Sequence, residues 1–251
     1  MARKLPTGTV TLLFTDIEGS TALLHALGDR YGDALADHHR LLRDAWARHG
    51  GTEVDTEGDA FFIAFSEARA ALAAAADGQR AIAAHDWPGA PVRVRMGLHT
   101  GTPQVRDGQY LGADVHYAAR VAAAANGGQV LASAATRALA GAGPELASLG
   151  EHSLKDFPDP QPLFQLVVDG AGPEAFPPPR TLVRSRVVLP AGGGLVGREA
   201  DVEALAARAL ADERLISIVG PGGSGKTRLA VELGHRLADS FPDGVTFVAL
   251  E

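Results

Sequence analysis

Apolar positions along the chain switch between strand-like runs and helix-like faces, in an order that outlines two folded units. Val10, Leu12, Leu13 and Phe14 form a short run with a β-branched and aromatic bias, which predicts a buried strand. Residues 20–49 predict helix, interrupted near Gly28 and Gly32. Leu35, His39, Leu42 and Trp46 share one face of it at four-three-four spacing. Gly50-Gly51 closes the helix as a glycine C-cap does. Residues 52–65 predict a hairpin turning at Glu57-Gly58, and 67–85 an alanine-rich helix. The stretch 91–101 alternates polar and apolar, as a half-buried strand should. The order is β-α-β-β-α-β, the ferredoxin-like plan of an α+β (α/β sandwich) fold, in which the first and third strands lie antiparallel at the centre. A helix over 114–126, closed by Gly127-Gly128, and strands at 129–132 and 163–168 complete the unit.

Around Asp169 the pattern changes. Residues 170–194 carry Pro173, Pro177, Pro178 and Pro179, then Arg180, Arg184 and Arg186, then Gly192-Gly193-Gly194, and predict an extended linker. Its arginines are expected in solvent, with docking onto the acidic first unit as the alternative. From 195 a second domain begins, with a helix over about 200–212, a strand over 215–219 and a helix to about Ser240. A turn at Pro242-Asp243-Gly244 and a strand over 245–250 follow. One or two strands do not make a doubly wound sheet, so residues 195–251 are expected to be only the start of such a domain. The expected division is 1–169, 170–194 and 195–251.

Composition narrows the class. With 46% hydrophobic and 21% charged residues, the 251-residue chain is that of a soluble globular protein. The absence of cysteine excludes a disulfide framework and a thiolate zinc site, and fits a cytoplasmic location. No apolar run approaches the roughly 20 residues needed to span a bilayer, and the first residues lead into a strand rather than a signal-peptide core. A net charge of −7 argues against direct nucleic-acid binding.

The chemistry gathers at two places. Asp16 ends the first strand, and Gly19-Ser20-Thr21 opens a helix whose first turn offers unpaired N–H groups to an anion. A strand-end aspartate is most often a turn residue. The predicted topology changes that weighting, because Asp59 begins the third strand and would emerge beside Asp16. Two carboxylates so placed suit magnesium on a triphosphate. His38-His39 is read as packing or surface, since neighbours on a helix point about 100° apart and cannot grip one ion. His116 and Arg120 share a helix face. In the second domain, Gly220-Pro-Gly222-Gly223-Ser224-Gly225-Lys226-Thr227 completes G-x-x-x-x-G-K-[ST] between a predicted strand and helix. Its backbone N–H groups would wrap phosphates, Lys226 would reach the β/γ oxygens and Thr227 would ligate magnesium.

Four ordered motifs carry a family resemblance: Phe14-Thr-Asp-Ile-Glu-Gly-Ser-Thr21, Glu57-Gly-Asp-Ala-Phe-Phe62, Gly97-Leu-His-Thr-Gly101 and Val115-His-Tyr-Ala-Ala-Arg120. Over residues 8–168 the chain resembles the class III adenylate/guanylate cyclase catalytic domain. The remainder resembles the start of a STAND-type P-loop ATPase, as in bacterial regulators that place a cyclase before such a module. The resemblance implies conversion of a nucleoside triphosphate, ATP or GTP, into a 3′,5′-cyclic nucleotide and pyrophosphate, in intracellular signalling. It implies two Mg2+ or Mn2+ ions on Asp16, Asp59 and the Ile17 carbonyl, a transition-state role for Arg120, and a site shared across a homodimer. Gly19, Ser20 and Thr21 become the triphosphate cradle, and Lys155 a triphosphate contact or an exposed loop lysine.

Three positions depart from the family. His116 stands where the ribose-orienting asparagine belongs. Asp55 stands at the adenine-reading lysine, and Gln109 aligns with that lysine's aspartate partner. An ionised Asp55 accepts hydrogen bonds only, a poor match to adenine N1 and a better one to the N–H edge of guanine. Base preference is therefore expected to lean away from adenine. The competing expectation is a degenerate cyclase-homology domain that binds nucleotide, or dimerises, to regulate the attached ATPase or transcriptional regulator.

Overall fold

The computed structural model describes residues 5–171, 175–181, 189–190, 197–211, 213, 215–241, 245 and 247. The chain divides into two compact units, 1–181 and 182–251.

In the first unit the elements run β1 (Val10–Ile17), α1 (Ser20–Leu27), a 3-10 turn (Gly28–Arg30), α2 (Tyr31–Arg48), β2 (Thr52–Glu57), β3 (Ala60–Phe65), α3 (Ala68–Ala84) and β4 (Val94–Gly101). A two-stranded ribbon follows, β5 (Gln104–Arg106) and β6 (Gln109–Leu111), then α4 (Ala113–Ala124), β7 (Val130–Ser133), α5 (Ala134–Leu139), β8 (Leu146–His152) and β9 (Gln161–Leu166). The sheet order is β2-β3-β1-β4-β7-β9-β8. Its first four strands follow the expected plan, with β1 antiparallel to both β3 and β4. The sequence reading had no β5–β6 ribbon, α5 or β8. The two ribbon strands have three residues each, too few to show a period of their own.

The alternation along β1 sorts its two faces. Leu13 and Ile17 join the main core with Phe61, Ile63, Phe65, Met96 and Leu98, under helices α2 and α3. Val10 and Leu12 face the other way, with Ala64, Tyr110 and Ala118. Asp16 lies on this second side by strand alternation. Helix α4 reaches β4 here because Gly97 has no side chain: a Cβ would stand 2.1 Å from the Ala122 nitrogen.

Two helix readings are corrected. Gly32 lies inside α2 and does not interrupt it. The buried face of α2 is Ala34, His38, Leu42, Ala45 and Trp46, so His38 is interior while Leu35 and His39 are only half-buried. Leu42 and Trp46 hold their expected places, while in the first half of the helix the buried positions fall one residue earlier, at Ala34 and His38. Both the His38 and His39 rings lie against Phe61, at 5.8 and 5.1 Å.

In the second unit α6 (Glu199–Leu210) and α7 (Lys226–Leu237) pack together. The expected strand over 215–219 is not formed, and Leu215 and Val219 are 82% and 89% exposed. A strand needs a neighbour for its N–H and C=O groups, and among the described residues none pairs with this one. Most of the expected 242–250 turn and strand, and Arg184, Arg186 and Gly192–Gly194, lie outside the described residues. Residues 175–181, read from the sequence as linker, belong to the first unit.

Candidate functional site

Two acids meet at the end of the central strands. The Ile17 N–H donates to Asp59 Oδ2 at 2.7 Å, which brings Asp59 to the peptide that follows Asp16. Asp59 sits in the β2–β3 turn, and that turn is held by His39, whose Nε2 lies 2.8 Å from the Gly58 carbonyl oxygen. Nearby, burial raises the Tyr31 phenol above its ordinary range, and the Asp59 charge raises it further. Asp16 is gripped from β4: register places Arg95 opposite it. Arg95 Nε donates to Asp16 Oδ1 at 2.7 Å, and its terminal nitrogen donates to Oδ2. Hydrogen bonding to Asp16 holds the Arg95 guanidinium above its usual range, against the desolvation that would lower it.

The donors in this corner are oxygens: two carboxylates and the Ile17 carbonyl. Among the described residues no three His, Asp or Glu side chains converge on one point. The oxygen donors themselves fit magnesium, which binds through one or two carboxylates plus substrate phosphates. Beside the acids, Gly19 caps α1 in the left-handed conformation (φ 67°), with no side chain bonded to the first turn.

Arg120 lies elsewhere on the unit's surface. Its Nε donates to Asp156 Oδ2 at 3.0 Å. Asp156 occupies a left-handed turn (φ 69°) that also carries the exposed Lys155. Helix α4 is fixed at its start by Asp114, which faces His99 Nε2 at 3.2 Å and accepts from the Thr102 N–H at 2.9 Å. Burial lowers the His99 imidazole and Asp114 opposes it. His116 is exposed on the first turns of α4. Among the described residues no hydrogen bond or ion pair joins His116 or Arg120 to Asp16 or Asp59.

Asp55 and Gln109 are both exposed, and each adjoins one of two aromatics whose rings are neighbours. Asp55 is in register with Phe62 in the sheet, Gln109 precedes Tyr110, and the Phe62 and Tyr110 rings lie 6.0 Å apart. In the second unit Gly223 and Gly225 of the glycine-rich loop are left-handed, at φ 76° and 79°. Lys226 Nζ donates to the Gly220 and Pro221 carbonyl oxygens, each at 2.8 Å, folded over the loop that Gly222, Ser224 and Thr227 complete.

Sequence reasoning missed Arg95, His39 and Asp156. Arg95 was legible in principle: it alternates with the apolar residues of β4 and faces the side that Asp16 faces.

The profile of the adenylate and guanylate cyclase catalytic domain matches residues 3–167. An uncharacterised protein of Mycobacterium tuberculosis is 40% identical over 210 residues, covering 80% of this chain and 71% of its own length. A receptor-type adenylate cyclase of Trypanosoma congolense is 35% identical over 211 residues, covering 64% of this chain and 28% of the much longer receptor. A solved Trypanosoma brucei adenylate cyclase, described in its monomeric state, superposes with a TM-score of 0.65 at 34% identity, covering 72% of this chain and 97% of that one.

Proposed function

The chain belongs to the adenylate and guanylate cyclase catalytic domain family, and from that premise we propose that its first unit is a metal-dependent nucleotidyl cyclase. The observation that carries the reading is the hydrogen bond from the Ile17 N–H to Asp59, which places both acids and the Ile17 carbonyl at one corner.

In the proposed reaction the ribose 3′-hydroxyl attacks the α-phosphate of ATP or GTP, and pyrophosphate leaves. Two Mg2+ or Mn2+ ions held by Asp16, Asp59 and the Ile17 carbonyl would lower the pKa of the attacking hydroxyl and offset phosphate charge. The first turn of α1, at Gly19, Ser20 and Thr21, binds phosphate oxygens through backbone N–H groups. Arg120, leaving Asp156, donates to the phosphoryl oxygens as charge builds on them, with Lys155 beside it on the phosphates. His116 orients the ribose, and Asp55 with Gln109 faces the base. Asp55 favours guanine, whereas the trypanosome relatives are named adenylate cyclases, so ATP and GTP must be compared directly.

Arg120 pairs with Asp156 and Asp16 with Arg95, and in the proposed enzyme a homodimer brings one protomer's α4 to its partner's acids. An apolar patch supports the same reading. Phe14 and Phe62 stack at 4.2 Å while half-buried, and Val105 and Leu111 on the adjoining ribbon are 40% and 44% exposed. We further propose that residues 195–251 begin a STAND-type P-loop ATPase, in which ATP phosphates replace the loop carbonyls as partners of Lys226. No described helix is long and apolar enough to cross a membrane, and a cytoplasmic setting is proposed on the absence of cysteine.

A second reading rests on Arg95. Its grip on both oxygens of Asp16 neutralises the acid without a metal, as a non-catalytic module that only binds nucleotide or dimerises would allow. Cyclic product measured from ATP and from GTP, with Mn2+ or Mg2+, separates the two. Product from the wild-type chain but not from Asp16→Asn supports the enzyme, and equal background from both supports the module.

A further inference from the structure

We infer that Arg180, at the exit of the first unit, is a positioning residue for the metal-bearing turn and acts through Glu18. The inference rests on the reading of Asp16 and Ile17 as metal ligands.

Glu18 shares a planar peptide with the Ile17 carbonyl. Its N–H donates to the Arg93 carbonyl oxygen at 2.9 Å, so the tilt of this peptide sets the direction in which the Ile17 oxygen points. The Glu18 side chain fixes the other end of the same residue. Its Oε1 accepts from the Gly127 N–H at 3.1 Å and is ion-paired with Arg180. Gly127 has no room for a side chain here, since a Cβ would stand 2.5 Å from Glu18 Oε2.

Arg180 is itself built in. Its N–H donates to the Ala124 carbonyl oxygen at 2.7 Å, and its Nε donates to Asn126 Oδ1 at 3.2 Å. Asn126 Nδ2 in turn donates to the Pro177 carbonyl oxygen at 2.9 Å, and Thr181 Oγ1 lies 3.1 Å from His152 Nδ1. Four segments therefore close on Glu18: the metal turn, the edge of β4, the end of the helix that carries Arg120, and the chain leaving the unit. Residues 175–181 are a strap rather than a spacer. The Arg180 guanidinium is the one cation of that strap that reaches the turn among the described residues.

The side chains of Arg180 and Glu18 are 47% and 25% exposed, so substitution should leave the core intact. The experiment uses the full chain with Arg180→Ala, Arg180→Lys and Glu18→Gln, and reads two quantities. Amide hydrogen exchange at Ile17, Glu18 and Gly127 should quicken about tenfold in Arg180→Ala and Glu18→Gln, with the β3 amides unchanged. The half-saturating Mn2+ concentration for cyclisation should rise about tenfold, the low end for residues that orient metal ligands, with kcat within about twofold of wild type. Arg180→Lys, which keeps the charge opposite Glu18, should recover most of both effects. Unchanged exchange at those three amides overturns the inference, as does loss of kcat without a shift in Mn2+ dependence. If the wild-type chain forms no cyclic product from either nucleotide, the proposed function fails, and the exchange result alone decides the role of Arg180.

Discussion

The acidic corner and the arginine cluster differ in how they are made. Asp16, Ile17 and Asp59 are brought together by the register of the central strands, against a core that includes Leu13, Phe61 and Ile63. Arg120 and Asp156 meet at the surface, where one helix passes the left-handed turn that also carries Lys155. Each place is electrically closed on itself, Asp16 by Arg95 and Arg120 by Asp156. In the proposed reaction Asp16 shares its charge with a metal ion instead, and Arg120 exchanges Asp156 for phosphate. In that reading the corner takes a cation, and the cluster takes a substrate and a second copy of the chain.

The largest expected effect breaks the corner alone. Asp59→Asn or Asp16→Asn should cut cyclic nucleotide formation by about 10³-fold or more, at or beyond the loss from removing one transition-state donor. Asparagine keeps an acceptor for Arg95 and for the Ile17 N–H, so the melting temperature should move by only a few degrees. Arg120→Ala should cost about 10²- to 10³-fold in kcat without changing the Mn2+ concentration for half-saturation. A shift in that concentration would show that the two places are not separate.

A pH titration distinguishes their foundations. His38 lies under the corner with both ring nitrogens unpaired, and burial pushes its imidazole down to about 3 from the ordinary 6.5. The unfolded chain therefore takes up a proton below pH 6.5 that the folded chain refuses. Stability is full above that pH and falls as pH drops toward 3, by up to about 1.4 kcal/mol per unit. Denaturant melts from pH 7 to 4 should show this slope, and His38→Leu should flatten it. The smallest effect concerns His39. His39→Ala frees the Gly58 carbonyl, and should cost about 1 kcal/mol of stability and raise half-saturating Mn2+ several-fold, leaving Arg120-dependent kcat in place.

The contrast also explains what could be read from the chain. Hydrophobic alternation around Val10–Phe14, residues 60–65 and 91–101 determines which strands are central, so the pairing of Asp16 with Asp59 was legible before any coordinates. The ribbon of β5 and β6 was not, because segments as short as Gln104–Arg106 carry no period of their own. The identity of the residue facing Asp16 depends on strand register, which a one-residue slip would reverse. Asp156 was invisible for another reason: its partner lies 36 residues away, and no local pattern points to it. Docking onto the acidic first unit was the alternative expectation for the linker arginines, and Arg180 follows it by pairing with Glu18. The glycine-rich stretch 220–227 shows the converse: its motif is complete in the sequence, while among the described residues the segment 215–219 before it forms no strand.

The central claim is that the acids of one chain work with the arginine of another. Asp16→Asn and Arg120→Ala chains, each inactive alone, can be co-expressed and assayed for cyclic product. Random pairing leaves one intact site in half of the dimers, so activity should return to about a quarter of the wild-type value. Activity that stays at the background of the two separate variants would contradict the account.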